Sequence, residues 1–400
     1  MKSLLLLVSL CLFSVNLFAG ESQFGLVNQS MGNLVVPYSA SGKGRSFEIA
    51  HMDSLHLNLR NFATMTNISQ TTFSFNLGYN AIWAENRVEK TFFDFANFQG
   101  VSLAIPLQQK IFALGFGIHP YTSIEQRVQS TSTIDGDAIS QNVFVRGGLG
   151  KANFNLAYKF SDNLSVGLGY EYTFGKISEQ VVIDVEDNIS SEIEFKYDNK
   201  LYGNGLVLSL IGSPLENVNI GVMTRTPVFG KITQTGETLA DALNSDKEFD
   251  VELPSEYNIG IEYLLSPTYI VGLDFIYQDW EKGYLVDDKK IAQHNSYYHI
   301  GAGVEKKGSE RRFVKYSEQI DYRLGVFYSE LAHLNNNEKV NEYGISAGLS
   351  LPIQKFQSKI DLAGFIAKRG NLSKNILEEI IFGFGISINA NELWFVNIED

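Results

Sequence analysis

Residues 152–174 read ANFNLAYKFSDNLSVGLGYEYTF. Phe154, Leu156, Tyr158 and Phe160 alternate with Asn153, Asn155, Ala157 and Lys159. After Ser161-Asp162-Asn163, the residues Leu164, Val166, Leu168, Tyr170, Tyr172 and Phe174 alternate with Ser165, Gly167, Gly169, Glu171 and Thr173. Period-two alternation puts each set on its own face of a strand, and two such runs about a short polar turn form an antiparallel hairpin. One face is large and apolar, the other small, polar or charged. Strands of soluble sandwiches usually run to about five or six residues, whereas the second run here holds eleven. At roughly 3.3 Å per residue and a tilt of about 45°, it spans roughly 25 Å of bilayer. The pattern therefore predicts an all-β fold, a transmembrane antiparallel β-barrel.

The rest of the chain supports an exported barrel. Lys2, an apolar run from Leu4 to Phe18 and then Ala19-Gly20 read as a secretory signal peptide over residues 1–20. The single cysteine, Cys11, falls inside it, so the mature chain is expected to carry no disulfide and no thiol chemistry. Elsewhere no run of 18 apolar residues suggests a transmembrane helix. A net charge of −13 without a basic stripe argues against nucleic acid as a partner. The 28 Phe, 19 Tyr and 3 Trp supply material for interfacial girdles, and the 35 glycines suit an uncrowded inner face.

Residues 21–70 lack the alternation. They carry Gly42-Lys43-Gly44-Arg45 and a short helix expected near Phe47–Leu59, and read as an N-terminal hatch outside the wall. From Thr71 onward the alternation recurs, giving a barrel domain over 71–400. Its runs centre on Phe75, Leu103, Phe116, Leu156, Leu168, Leu208, Ile220, Ile261, Leu273, Ile300, Val326, Ala347, Leu362 and Phe384. They number fourteen, an even count as single-chain barrels require. Short turns at Gln108-Gln109, Asp162-Asn163, Leu215–Asn217, Ser266-Pro267 and Gln354 are expected on one side. Long polar connections near 84–91, 122–140, 176–195, 230–250, 281–295 and 305–318 are expected on the other.

The inward set includes Lys159, Glu171, Arg225, Glu262, Asp274, Arg323, Lys359 and Asp361. Mixed charge facing one lumen indicates a watered or plugged interior held by structural pairs, a subset of which would line a substrate path. Gly344-Ile345-Ser346-Ala347-Gly348 spells a nucleophile elbow, but that motif needs a strand-to-helix turn. Here it lies within an alternating strand, so no hydrolase is inferred. The six histidines show no metal-ligand spacing. Asp246, Glu248, Asp250 and Glu252 line one face of an extended segment, which reads either as a calcium site or, more simply, as a solvated flank. No cofactor is expected.

Three stretches carry a resemblance. Glu252-Leu253-Pro254-Ser255 leads into a strand, a Ser266-Pro267 turn and a strand ending at Asp279-Trp280. A second strand ends Thr224-Arg225-Thr226-Pro227, and the Gly147–Gly175 hairpin is the third. Together they resemble the FadL-type family of outer-membrane transporters for long-chain fatty acids and other hydrophobic compounds. Asn61-Phe62-Ala63 stands where that family often has Asn-Pro-Ala, and the chain ends in Asn397-Ile398-Glu399-Asp400, with Trp394-Phe395 in place of a terminal aromatic. The resemblance implies a fourteen-stranded barrel in a bacterial outer membrane, closed by an N-terminal hatch, without enzymatic activity. It implies outer-membrane lipid and the barrel assembly machinery as partners, and a hydrophobic small molecule as cargo. Phe47, Leu55, Leu57, Phe62 and Met65 are the candidates to line an apolar pocket. Their other reading is packing within the hatch itself. Arg45 and Arg225 are the candidates to pair a carboxylate. Related PorV-type barrels serve protein secretion, so a partner-binding barrel stands as the alternative, followed by a general porin.

Overall fold

A computed structural model describes residues 31–36, 38–134, 137–185, 191–238, 246–291, 294–309, 311, 314–353 and 358–392. The leader at 1–20, the turns at Asp135-Gly136 and Gln354, and Trp394-Phe395 lie outside them. The wall begins with β1 (Thr71–Asn86), β2 (Lys90–Gln108), β3 (Phe112–Ile134), β4 (Asp137–Ser161), β5 (Leu164–Val185) and β6 (Ser191–Leu215). Then β7 runs Val218–Arg225 and resumes as Val228–Thr238, and β8 runs Lys247–Leu253 and resumes as Glu256–Ser266. The remaining strands are β9 (Tyr269–Gln278), β10 (Tyr297–Lys306), β11 (Asp321–Asn335), β12 (Glu338–Ile353), β13 (Ser358–Asn371) and β14 (Leu377–Glu392). Each pairs antiparallel with its neighbours, and β14 returns to β1 from Leu377–Asn86 to Glu392–Thr71, closing a fourteen-stranded barrel.

The apolar alternation faces outward. Leu168, Tyr170, Ile261 and Phe384 are exposed, while Ser165, Glu171 and Thr173 on the opposite face are buried. An inward-facing polar set of this kind is what bilayer on the outside demands. Pro227 and Pro254 cannot donate to a ladder. They interrupt β7 and β8 side by side, and the pairing then resumes, with Val228 opposite Leu253 and Arg225 opposite Glu256.

Three expectations from the sequence need correction. The connections near 122–140, 176–195 and 230–250 are largely strand. β3 to β6 reach 23, 25, 22 and 25 residues, far more than the roughly 9–11 that span a bilayer. Their outer parts leave the hydrocarbon, so neither face needs the apolar alternation that betrays a strand. Sidedness also fails twice. The connection after β10, read with the long outer loops, lies on the rim of the short turns, while β11 and β12 join on the outer rim through Asn336-Asn337. Both of these residues have positive φ, the geometry of a two-residue hairpin turn. Finally, no helix forms at Phe47–Leu59. A helix (α1) instead spans Ala40–Arg45, capped by Ser39 Oγ accepting from Gly42 N (3.0 Å), and a 3₁₀ turn spans Phe62–Asn67, capped by the Asn61 side chain.

Described residues 31–70 lie inside the lumen. Gly44 of α1 packs directly on Gly348 of β12, and Ser346 donates to Gly44 O at 3.2 Å while bonding Ser46 Oγ at 2.9 Å. The letters of a nucleophile elbow are thus a seat for the hatch. A Cβ on Gly348 would stand 3.0 Å from Gly44 Cα. Gly348→Val is therefore expected to destabilise hatch docking by about 1–3 kcal/mol. Limited proteolysis should then cut at residues 40–60, which should resist cleavage in the parent barrel.

Candidate functional site

Two buried ion networks tie the hatch to the wall. In the first, Arg323 of β11 reaches Glu305 (3.0 Å), Asp361 (3.3 Å) and Asp321 (3.4 Å). The hatch adds Arg45, whose Nη1 lies 2.6 Å from Glu305, and His56, which bridges Asp361 and Asp53 at 3.0 Å each. In the second, Arg225 of β7 donates to Glu171 (2.9 Å) and to Glu256, while Arg60 of the hatch reaches Glu256 at 2.7 Å and Lys151 reaches Glu171 at 3.2 Å. Between them Asp274 of β9 accepts the backbone N–H groups of Glu48 (2.6 Å) and Ile49 (3.0 Å), and His51 bonds Glu262. Of the eight inward charges read from the sequence, seven belong to these clusters. Lys159 instead pairs with Asp162 at the rim turn.

Burial draws the His56 imidazole down, but Asp361 and Asp53 outweigh it and raise its pKa to about 9. A folded-state pKa above the ordinary value near 6.5 contributes stability that is complete below that pH and is lost as pH rises through about 9. The hydrogen-exchange protection of residues 50–60, relative to the intrinsic base-catalysed rate, is expected to fall between pH 7 and 10, and the His56→Gln variant should lose that fall.

The seven residues proposed from sequence for ligand contact are placed as follows. Arg45 and Arg225 do meet carboxylates, but those of Glu305, Glu171 and Glu256. Phe47 is fully buried against Gly272 and under the Arg45 guanidinium. Leu57, Phe62 and Met65 pack with Ala113, Ala157 and Met223 in an apolar cluster at the short-turn end. Leu55 accepts a hydrogen bond from Asn391 through its carbonyl. None of the seven lines a cavity of about 430 Å³ higher in the lumen.

That cavity lies between the hatch and the outer half of the wall. Ile82, Phe95, Phe327, Phe365 and Ile381 form its apolar side, and Tyr38, Lys43, Gln99, Tyr297 and His299 supply polar groups. Its volume and mixed lining are those of a small-molecule pocket. It abuts a break in the wall. The β2–β3 ladder runs only from Gln108–Phe112 to Val101–Ile118. Above that level β2 keeps its pairing with β1 and β3 with β4, leaving a seam. Gly100, at φ +133°, stands at its foot. The freed edge of β3 is partly covered by the hatch's Asn33–Leu34, which pairs with Ser123 and Thr122, and Val35 N donates to Tyr121 O at 2.9 Å. Phe98 and Gln99 on one side of the seam, and Pro120 and Ser123 on the other, reach the cavity.

Lys43 is the residue that sequence reasoning missed here. Its Nζ donates to Gln99 Oε1 at 2.8 Å, and no carboxylate pairs with it among the described residues. Burial lowers its pKa to about 8. The other cation at the cavity, Arg369, is held by Glu342 (2.5 Å) and Glu379 (3.3 Å). A lone cation between Gly42 and Gly44 was the available signal. Gly44 lets α1 lie against Gly348 of the wall and Gly42 lets Glu48 and Tyr38 of the hatch close on it, and the Lys43 side chain between them reaches the cavity. The acidic segment 246–252 is the outer half of β8, where Glu248 pairs with Lys231 at 2.9 Å. No cluster of three His, Cys, Asp or Glu that would hold a metal occurs among the described residues.

A closed wall, a polar lumen and a docked hatch define a transmembrane β-barrel of the outer-membrane kind, a fold shared with solved outer-membrane channels. A FadL homologue of Pseudomonas aeruginosa is 13% identical with a TM-score of 0.60, covering 90% of this chain and 99% of that one. The Ralstonia pickettii toluene transporter TbuX is 15% identical with a TM-score of 0.56 (89% and 98% covered). CymD, a monoaromatic hydrocarbon channel, is 16% identical with a TM-score of 0.53 (92% and 99% covered). No curated protein matches the sequence. The BamG family model matches residues 2–399, and the chain belongs to the BamG family.

Proposed function

We propose that this barrel passes hydrophobic small molecules through the outer membrane, and that carboxylate-bearing amphiphiles such as long-chain fatty acids are among them. The observation that carries this reading is Lys43, a cation without a carboxylate partner among the described residues, facing a cavity with one apolar side beside a seam in the wall. Apolar burial would hold the tail and the ammonium the head group, and the seam offers a sideways route that keeps the tail out of water. The hatch fills the lumen around the cavity, which supports a selective path over an open porin. The test is lipid extraction and native mass spectrometry of the purified barrel, followed by single-channel recording. Co-purified hydrophobe with negligible conductance is expected. A large steady conductance with no bound hydrophobe would overturn the reading.

A second reading, a partner-binding barrel, is favoured by β3 to β6, whose outer halves project beyond the bilayer. The family name, BamG, points to the barrel assembly machinery as the partner. Shortening the β3–β4 hairpin by joining Arg127 to Phe144 through a two-residue turn should then release a co-purifying protein without emptying the cavity.

A further inference from the structure

The connection from β10 to β11 is the long one on the rim of short turns, which faces the periplasm in barrels of this kind. Within ten residues of a chain carrying net charge −13, residues 306–315 hold Lys306, Lys307, Arg311, Arg312 and Lys315 against one acid, Glu310. Among the described residues, Lys306, Lys307, Arg311 and Lys315 make no ion pair, and all but Lys307, which is half-buried, are exposed. Cations that outnumber acids this far repel one another, so the loop's shape must come from elsewhere. Ser309 N donates to Glu318 O (2.7 Å), Gly308 N to Asp321 (2.8 Å) and Lys307 N to Thr268 O of the neighbouring turn (2.8 Å). On the other side Tyr316 reaches Pro352 O at 3.4 Å, and Tyr322 donates to Ser317 O at 3.2 Å. These bonds hold the loop against the rim instead of letting it reach into the periplasm.

Its surroundings set the depth. Tyr269 and Tyr322 are the last outward-facing residues at the base of β9 and β11, and with Tyr316 they are half exposed. Tyrosines at the foot of lipid-facing strands mark the level of the lipid head groups. Lys306 pairs in the ladder with both Tyr269 and Tyr322, so it and the neighbouring described cations lie at phosphate depth. We infer that Lys306, Lys307, Arg311 and Lys315 form a binding site for the phosphate head groups of anionic phospholipids in the periplasmic leaflet. An acidic protein would find the same charge, but the tyrosine girdle and the loop's flat attachment to the rim favour lipid. The site is separate from the cavity and does not depend on its role.

The test uses the full-length barrel in detergent, titrated with phosphatidylglycerol and, separately, phosphatidylcholine, with bound lipid counted by native mass spectrometry. Preferential retention of phosphatidylglycerol is expected, falling about fivefold for each cation removed in the series Lys307→Gln, Arg311→Gln and Lys315→Gln. Lys289→Gln with Lys290→Gln, on the outer rim, should leave retention unchanged, and heat-modifiable mobility on gels reports that every variant remains folded. Equal retention of the two lipids, or an undiminished preference in the triple variant, would overturn the inference. So would loss of a co-purifying acidic protein from the triple variant with its lipid adducts intact.

Discussion

Arg323→Ala is expected to destabilise the folded barrel by about 3–5 kcal/mol, the cost of leaving buried carboxylates without their partner. The guanidinium is fully buried and touches Glu305, Asp321 and Asp361. Among the described residues each of those has one other ion-pair partner. Glu305 keeps Arg45, Asp361 keeps His56 and Asp321 keeps Lys359. Arg323→Lys should recover little, because an ammonium cannot present the planar fork that serves three acceptors from one position. Urea titration followed by heat-modifiable mobility measures the effect, and a loss under about 1 kcal/mol would refute the view that this network anchors the hatch. Arg323→Ala should also loosen residues 45–56, since Arg45 and His56 share its carboxylates.

The second large effect concerns recognition. Lys43→Met is expected to weaken binding of a long-chain carboxylate by about tenfold to a hundredfold, the range for hydrogen bonds to charged groups. A matching long-chain alcohol should bind equally well to both proteins. Stability should change little, because Lys43 has no buried carboxylate to abandon. With a pKa near 8, the ammonium is present below that pH and fades above it, so carboxylate affinity should fall as pH rises from 7.5 to 9.5, and the alcohol's should not. Isothermal calorimetry with both ligands decides the matter. Equal loss for acid and alcohol would mean that Lys43 shapes the cavity without reading the head group. Arg45→Met makes the contrast, with a large fall in stability expected because Glu305 loses one of its two cations.

The sequence carried the wall better than the site. All fourteen runs centred between Phe75 and Phe384 are strands of the barrel, because lipid on one side and a polar lumen on the other impose a strict alternation. Where that constraint lapses, legibility lapses with it. The outer halves of β3 to β6 meet no lipid and read as loops. Two-residue turns and longer loops occur on both rims, so length alone misplaced the 305–318 connection. The hatch was recognisable by its lost alternation, yet its internal structure rests on long-range pairs such as Arg45–Glu305 and Gly44–Gly348, about 260 and 300 residues apart in the chain. For the same reason Arg45 looked available and Lys43 did not. Which of two cations in one short helix is neutralised depends on a strand far along the chain.

The division of charge between wall and plug has an electrical consequence. Glu256, Glu262, Asp274, Glu305 and Asp361 belong to the wall, and the hatch answers them with Arg60, His51, backbone N–H groups, Arg45 and His56. Take the hatch away, and the wall keeps its carboxylates but loses much of what balances them. A barrel expressed without residues 21–70 should therefore not behave as a neutral hole. It should carry a current of cations in preference to anions, as acid-lined pores do, with a reversal potential in a salt gradient displaced toward the potassium equilibrium value.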